Sequence, residues 1–309
     1  MRRILLFCTF TFLVCLVMYQ HPTVFAASGH SGAQNHQSQT SAADTLPAGY
    51  VGSQMCATCH AEIAHRFGDN PHAKMVMMHG DRGLTCENCH GPGEAHVVGG
   101  GDVTKIFRFD KASAQQVNMK CLSCHAGVHP NFERSPHGRA GLSCISCHSV
   151  HHARTERYLL IASQPQLCFS CHSDVKGQFS MPFHHPVEEG VVKCSDCHDV
   201  HGTFNPNNLR STADQNLICV RCHTDTRGPF VFEHAAVKGV GCLGCHNPHG
   251  SENPRMLNMA SINTLCNQCH SPVAAGTFHS MGEGSAELTP CTDCHTMIHG
   301  SNLNQAFLK

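Results

Sequence analysis

The sequence predicts a chain of loops and short α-helices, with little or no β-sheet, wrapped around bound groups that replace an apolar core. Three observations predict it. The first is a shortage of core-forming side chains. Beyond residue 26, Leu, Ile, Val and Phe make up about 52 of 283 residues, roughly 18%, below the level of ordinary globular domains. Such a chain cannot offset its ordering entropy by side-chain burial alone. The second is composition: 309 residues include 22 cysteines and 28 histidines but no tryptophan. The third is spacing, because every cysteine beyond residue 26 falls in Cys-x-x-Cys with His directly after it.

Charge excludes one broad class. Lys+Arg number 21 against 22 Asp+Glu, for a formal net charge of −1. No basic run exists to collect phosphates, so nucleic acid is not an expected partner.

The N-terminus reads as a targeting segment. Met1-Arg2-Arg3 is a short positive region, and an apolar stretch from Ile4 to Met18 follows, containing Cys8 and Cys15. Small residues then occur at Ala26 and Ala27. Residues 1–26 are expected to be a signal peptide cleaved near Ala26/Ala27. The apolar run of about 15 residues is shorter than the ~20 that span a bilayer. Export to the periplasm, an oxidising compartment, follows. Residues 27–49, rich in Ser, Gln, Ala and Gly, read as a flexible leader whose His30 and His36 are solvated.

Residues 50–309 carry ten copies of the motif. They are Cys56-Ala-Thr-Cys59-His60, Cys86-Glu-Asn-Cys89-His90, Cys121-Leu-Ser-Cys124-His125, Cys144-Ile-Ser-Cys147-His148 and Cys168-Phe-Ser-Cys171-His172. The others are Cys194-Ser-Asp-Cys197-His198, Cys219-Val-Arg-Cys222-His223, Cys242-Leu-Gly-Cys245-His246, Cys266-Asn-Gln-Cys269-His270 and Cys291-Thr-Asp-Cys294-His295. This is the c-type haem attachment pattern. Cysteines three apart lie on one side of a helical turn, so each sulfur can form a thioether with a porphyrin vinyl carbon. The adjacent imidazole then faces the iron as the proximal axial ligand. Zinc bound by paired Cys-x-x-Cys units leaves the histidines unexplained. Ten chance histidines in ten positions have a probability of order one in ten to the tenth. The cofactor expected is ten covalently bound haem c, and the fold class is a multihaem cytochrome c.

The motifs alternate in character, which predicts five two-haem modules at about 50–110, 111–160, 161–210, 211–260 and 261–309. Module starts at Cys56, Cys121, Cys168, Cys219 and Cys266 are 65, 47, 51 and 47 residues apart. Capping-box patterns at Ser113–Gln116, Ser163–Gln166 and Thr212–Gln215 place the first haem of a module at the end of a short helix. Glycine-containing loops precede most second motifs. The long segment between His90 and Cys121 reads as a spacer.

Distal ligands are expected from the remaining histidines. One candidate lies between the two motifs of each module: His72, His137, His185, His234 and His279. Another follows each second motif: His96, His151, His201, His249 and His299. Register favours His185 over His184 and His151 over His152, while His72 competes with His79. His65, His129 and His152 are left over. A histidine three residues after a proximal one cannot wrap round its own ring, so it should serve another haem. The methionines show no modular repeat, so bis-histidine, low-potential haems are expected. With ionised propionates the haem-loaded chain would carry about −13.

Iron filled on both faces by histidine has no vacancy for substrate, so electron transfer without catalysis is expected, with no catalytic residues. The sequence resembles the periplasmic decahaem cytochromes of the MtrA/DmsE/PioA type. The resemblance rests on the ten motifs, the Cys-His-x-x-His-Gly runs ending at Gly202 and Gly250, and the segment Cys89-His-Gly-Pro-Gly-Glu-Ala-His96. It implies a molecular wire seated in an outer-membrane β-barrel porin. The implied donor is a periplasmic or inner-membrane quinol-oxidising cytochrome. The implied acceptor is an extracellular oxidoreductase or multihaem cytochrome. A soluble periplasmic carrier or store, and a multihaem reductase of nitrite or sulfur oxyanions, are the alternatives.

Overall fold

A scarcity of apolar side chains leaves the backbone to be organised by short, local turns. The computed structural model describes residues 46–78, 84–153, 157–210, 214–270 and 289–308. The expected signal peptide, most of the leader, His79, Thr212 and His279 lie outside them. The longest described helix is Ala114–His125, and most others span one or two turns, such as Ser53–Cys59, Gln166–Phe169 and Asn216–Cys219. Among the described residues no helix is long and apolar enough to cross a membrane.

The side-chain core is as small as the composition requires. Among the described residues the buried hydrophobic side chains are Val117, Phe132, Phe179, Val187 and Val220. A continuous cavity of about 4780 Å³ runs past all ten motifs. That is several times the volume of an ordinary ligand pocket.

The two motifs of a module sit differently on their helices. First motifs close a helix, as in Ala114–His125 and Ile262–Cys266. Second motifs open a helical turn at their first cysteine, as in Cys86–His90, Cys194–Cys197 and the tighter Cys242–Gly244. Ser113 caps its helix as the sequence predicts: its Oγ accepts the Gln116 amide, and Gln116 Oε1 accepts the Ser113 amide. At the next module the expected box does not form. The turn begins at Gln166 behind Pro165, which has no N–H, and Ser163 Oγ instead donates to Gln166 Oε1.

Sheet is limited, among the described residues, to isolated bridges of two kinds. His148 with Leu160, His198 with Leu209 and His246 with Leu257 close local loops after second motifs. Phe183 with Ser251 and Phe232 with Ser301 join one module to the next. Glycine makes that joining possible. Gly250 has φ +152, and a Cβ there would run into the Gln178 carbonyl oxygen. Gly202, at φ +105, would place its Cβ 2.7 Å from that of Ser135. Close approach of two backbones is thus the reason for the His-Gly pairs in the sequence.

Candidate haem centres

Each motif is one helical turn. In eight of the ten, the histidine amide donates to the carbonyl of the first cysteine four residues earlier, at 2.9–3.0 Å. The other two, at Cys86–His90 and Cys121–His125, lie within α-helices. This turn carries both sulfurs on one side and the imidazole beyond them.

Leading thiols meet in pairs within a module. Cys121 hydrogen bonds Cys144, Cys168 bonds Cys194, and Cys219 bonds Cys242. Sharing that proton raises the first thiol and draws Cys194 and Cys242 down to about 7. Burial pushes Cys56 and Cys266 up to about 11, with Cys86 and Cys291 as neighbours. The succession continues between modules. Burial raises Cys89, Cys147, Cys197 and Cys245, and their neighbours Cys121, Cys171, Cys222 and Cys269 add to it. The ten motifs are therefore neighbours in chain order without a break.

A clamp missed at the level of sequence holds each pair. Asn118, three residues before Cys121, accepts the Cys144 amide at 2.9 Å and donates to Leu142 O. Asn216 does the same for Cys242 and Val237, and Asn263 for Cys291 and Thr289. In the first module Ser53 accepts from the Cys86 amide, and in the third Gln164 bonds Ser195. The available signal was Asn-x-x-Cys before three of the five first motifs.

The histidines pair across modules. His60 faces His96 with ring centroids 6.4 Å apart, and His90 faces His151 at 6.2 Å. His125 faces His72 and His148 faces His201, both at 6.0 Å. His172 faces His137 at 6.0 Å and His198 faces His249 at 6.1 Å. His223 faces His185 at 6.1 Å. His246 faces His299 and His270 faces His234, both at 6.2 Å. Apart from His60, every proximal histidine in these pairs meets a distal candidate of a neighbouring module. The remaining distal candidate, His279, lies outside the described residues.

Haem fits this spacing. A metal–imidazole bond is about 2 Å, and a five-membered ring of ~1.35 Å bonds has its nitrogen roughly 1.15 Å from the centroid. Two such ligands on one iron hold their centroids about 6.3 Å apart. Among the described residues no group of three or more His, Cys, Asp or Glu is gathered to hold a bare ion.

Hydrogen bonding orients the rings. The second-motif histidines His90, His148, His198 and His246 bond through Nδ1 to the carbonyls of Phe107, Tyr158, Asn207 and Arg255 at 2.6–3.0 Å. His295 likewise bonds Ala306 O. Tyr158, Asn207 and Arg255 hold left-handed conformations, each followed by a second such residue. This uncommon backbone aims the carbonyl at the ring. Distal candidates His96, His137 and His185 bond Asp102 O, Val200 O and Pro248 O through Nδ1. His72 bonds Asn70 Oδ1. An Nδ1 that donates leaves Nε2 with its lone pair for iron. Burial lowers the pKa of His72, His151, His234, His249 and His299, and takes His201 to about 4. It therefore favours the neutral, ligating form.

Competing histidines go elsewhere. His184 pairs with Glu189 at 3.2 Å while His185 faces the cavity. His152 is exposed; His129 stacks on His201 at 3.8 Å and also stands 6.2 Å from His125, beside the His72 pairing. The segment after His90 is more than a spacer. It supplies His96, and its Phe107 and Phe109 hold the His90 ring by the carbonyl and an edge contact at 5.3 Å.

A family model described as "Doubled CXXCH motif" matches residues 136–177, 184–228 and 234–275. Multiheme cytochrome MtrA of Shewanella baltica is 33% identical over 272 residues, 81% of this chain and 79% of its own. C-type polyheme cytochrome OmcC of Geobacter sulfurreducens is 25% identical over 242 residues, 64% of this chain and 29% of its own. Cytochrome c-type protein NrfB of Escherichia coli is 28% identical over 147 residues, 42% of this chain and 78% of its own. Identity to MtrA over most of both chains, together with paired haem-attachment motifs, shows that the chain belongs to the MtrA-like multihaem c-type cytochromes, electron-transfer proteins carrying covalently bound haem c.

Proposed function

We propose that the chain is a ten-haem electron conduit, exported to the periplasm and working at the outer membrane between periplasmic donors and an outer-surface acceptor. The observation that carries the reading is that all ten motifs line one continuous cavity and neighbour one another in chain order. Each Cys-x-x-Cys pair would tether one haem. Bound haem supplies one-electron cycling between ferric and ferrous iron. The chain's own residues do the rest. The cysteines would hold neighbouring groups close together along the cavity, where tunnelling is fast. The nine paired sets of histidines would each hold an iron from two sides, which would leave no coordination site there for nitrite or a sulfur oxyanion. His279 is the candidate for the face opposite His295.

The porin, the quinol-oxidising donor and the extracellular oxidoreductase or cytochrome come from the resemblance. A vesicle assay tests them. The haem-loaded protein is reconstituted with a co-purifying barrel protein in vesicles that enclose a redox dye, and a reductant is added outside. Dye reduction that needs both proteins supports the conduit. Dye reduction that never occurs, with free exchange in solution, favours a diffusing carrier. High-spin ferric signals in the as-isolated protein would favour a reductase.

A further inference from the structure

Phenylalanine stands seven residues beyond the first-motif histidine in four successive modules, at Phe67, Phe132, Phe179 and Phe230. Each leans on the histidine loop of the following module. Phe67 lies 6.2 Å from His151, Phe132 6.3 Å from His201 and Phe179 5.2 Å from His249, between ring centroids. Phe230 lies against Gly300, next to His299. The residue just before this phenylalanine changes from module to module: Arg66, Asn131, Gln178, Pro229.

In one module that residue reaches the distal Nδ1. Gln178 Oε1 lies 3.1 Å from His249 Nδ1. At the equivalent position after two other second motifs the acceptor is missing or distant: among the described residues the buried His151 Nδ1 has no partner, and His201 Nδ1 is 3.7 Å from Asp199 Oδ1. Across from His249, His198 Nδ1 bonds Asn207 O at 2.8 Å. Among the described residues, this is the centre where both imidazoles have an acceptor within hydrogen-bond distance of Nδ1.

An acceptor at Nδ1 strengthens the donor power of Nε2, and a stronger donor stabilises ferric over ferrous iron. We infer that Gln178 is a positioning residue that makes the centre tethered at Cys194 and Cys197 the lowest in reduction potential of the chain. The inference rests on His198 and His249 being the two ligands there. Reduction adds one electron to the iron and transfers no atom. The Nδ1 proton stays on the ring, shared with the Gln178 oxygen.

The test uses two variants of the full haem-loaded protein, Gln178→Met and Gln178→Glu, in a potentiometric titration followed by haem absorbance and electron paramagnetic resonance. Methionine keeps the length and removes the acceptor. The lowest component, one tenth of the absorbance, should rise by about tenfold in its equilibrium constant, or 59 mV for one electron. Glutamate is a stronger acceptor and should lower the same component. Both proteins should remain low-spin. A lowest component that stays put, or that moves the same way in both variants, overturns the inference. So does a high-spin signal in Gln178→Met, since Gln178 would then merely hold the ring in place. Failure of the ligand assignment is separable: His249→Ala would then produce no high-spin haem.

Discussion

Replacing Gly250 with alanine attacks the joint between the third and fourth modules. The backbone there has φ +152, and the new Cβ would overlap the Gln178 carbonyl oxygen at the end of helix Ser173–Phe179. Either the loop or that helix end must move. Two backbone hydrogen bonds depend on the present fit: Ser251 N donates to Phe183 O at 2.8 Å and Phe183 N to Ser251 O at 3.2 Å. Losing both costs about 1–3 kcal/mol net, and forcing alanine into this conformation costs about 1–3 kcal/mol more. A total of roughly 2–6 kcal/mol exceeds what one surface loop absorbs. The displaced loop carries His249, so ligation opposite His198 should fail as well. Hydrogen exchange at Phe183 and Ser251 should accelerate by about a hundredfold or more, and one high-spin haem should appear. Gly239→Ala is the control, since nothing lies within 4 Å of its added Cβ. If Gly250→Ala keeps its exchange protection and an all-low-spin spectrum, the close-approach argument is wrong.

The remaining predictions concern the same framework. His249→Ala should convert one haem to high spin, and a second substitution, His198→Ala, should add no further high-spin centre if the two share an iron; two independent signals would break the pairing. Asn118→Ala leaves the Cys144 amide and Leu142 carbonyl without their partner and should cost about 2–4 kcal/mol in thermal or denaturant unfolding. Phe179→Ala removes one of the few buried aromatic rings and should cost about 3–5 kcal/mol, with broadened signals from His249. A chain with every motif cysteine changed to serine should show no cooperative unfolding by circular dichroism; a cooperative transition would mean that side chains alone suffice.

Some of this molecule is readable without any coordinates. Cys-x-x-Cys-His needs only a helical turn, so the candidate tether and the histidine beside it follow from spacing. The modular period, the two classes of distal candidate and the His-Gly pairs are also visible in sequence. Other features were present but mute. The Asn three residues before Cys121, Cys219 and Cys266, and the Phe seven residues after His60, His125, His172 and His223, look like scattered polar and apolar residues. Their meaning lies in a contact with the next motif or the next module. The segment after His90 reads as a spacer for the same reason, because its anchoring of His90 runs through a carbonyl and a ring edge.

Sequence by itself determined which cysteines and histidines are the candidates at each tether and that no ordinary core could form. Those are local matters, decided within four residues of backbone and by counting apolar side chains. Tertiary structure decided which histidine faces which, in what order the tethers touch and which imidazoles carry a second hydrogen bond. Partners such as His137 and His172, or His249 and Gln178, lie tens of residues apart in the chain. No local pattern encodes a meeting that depends on how one module leans upon the next.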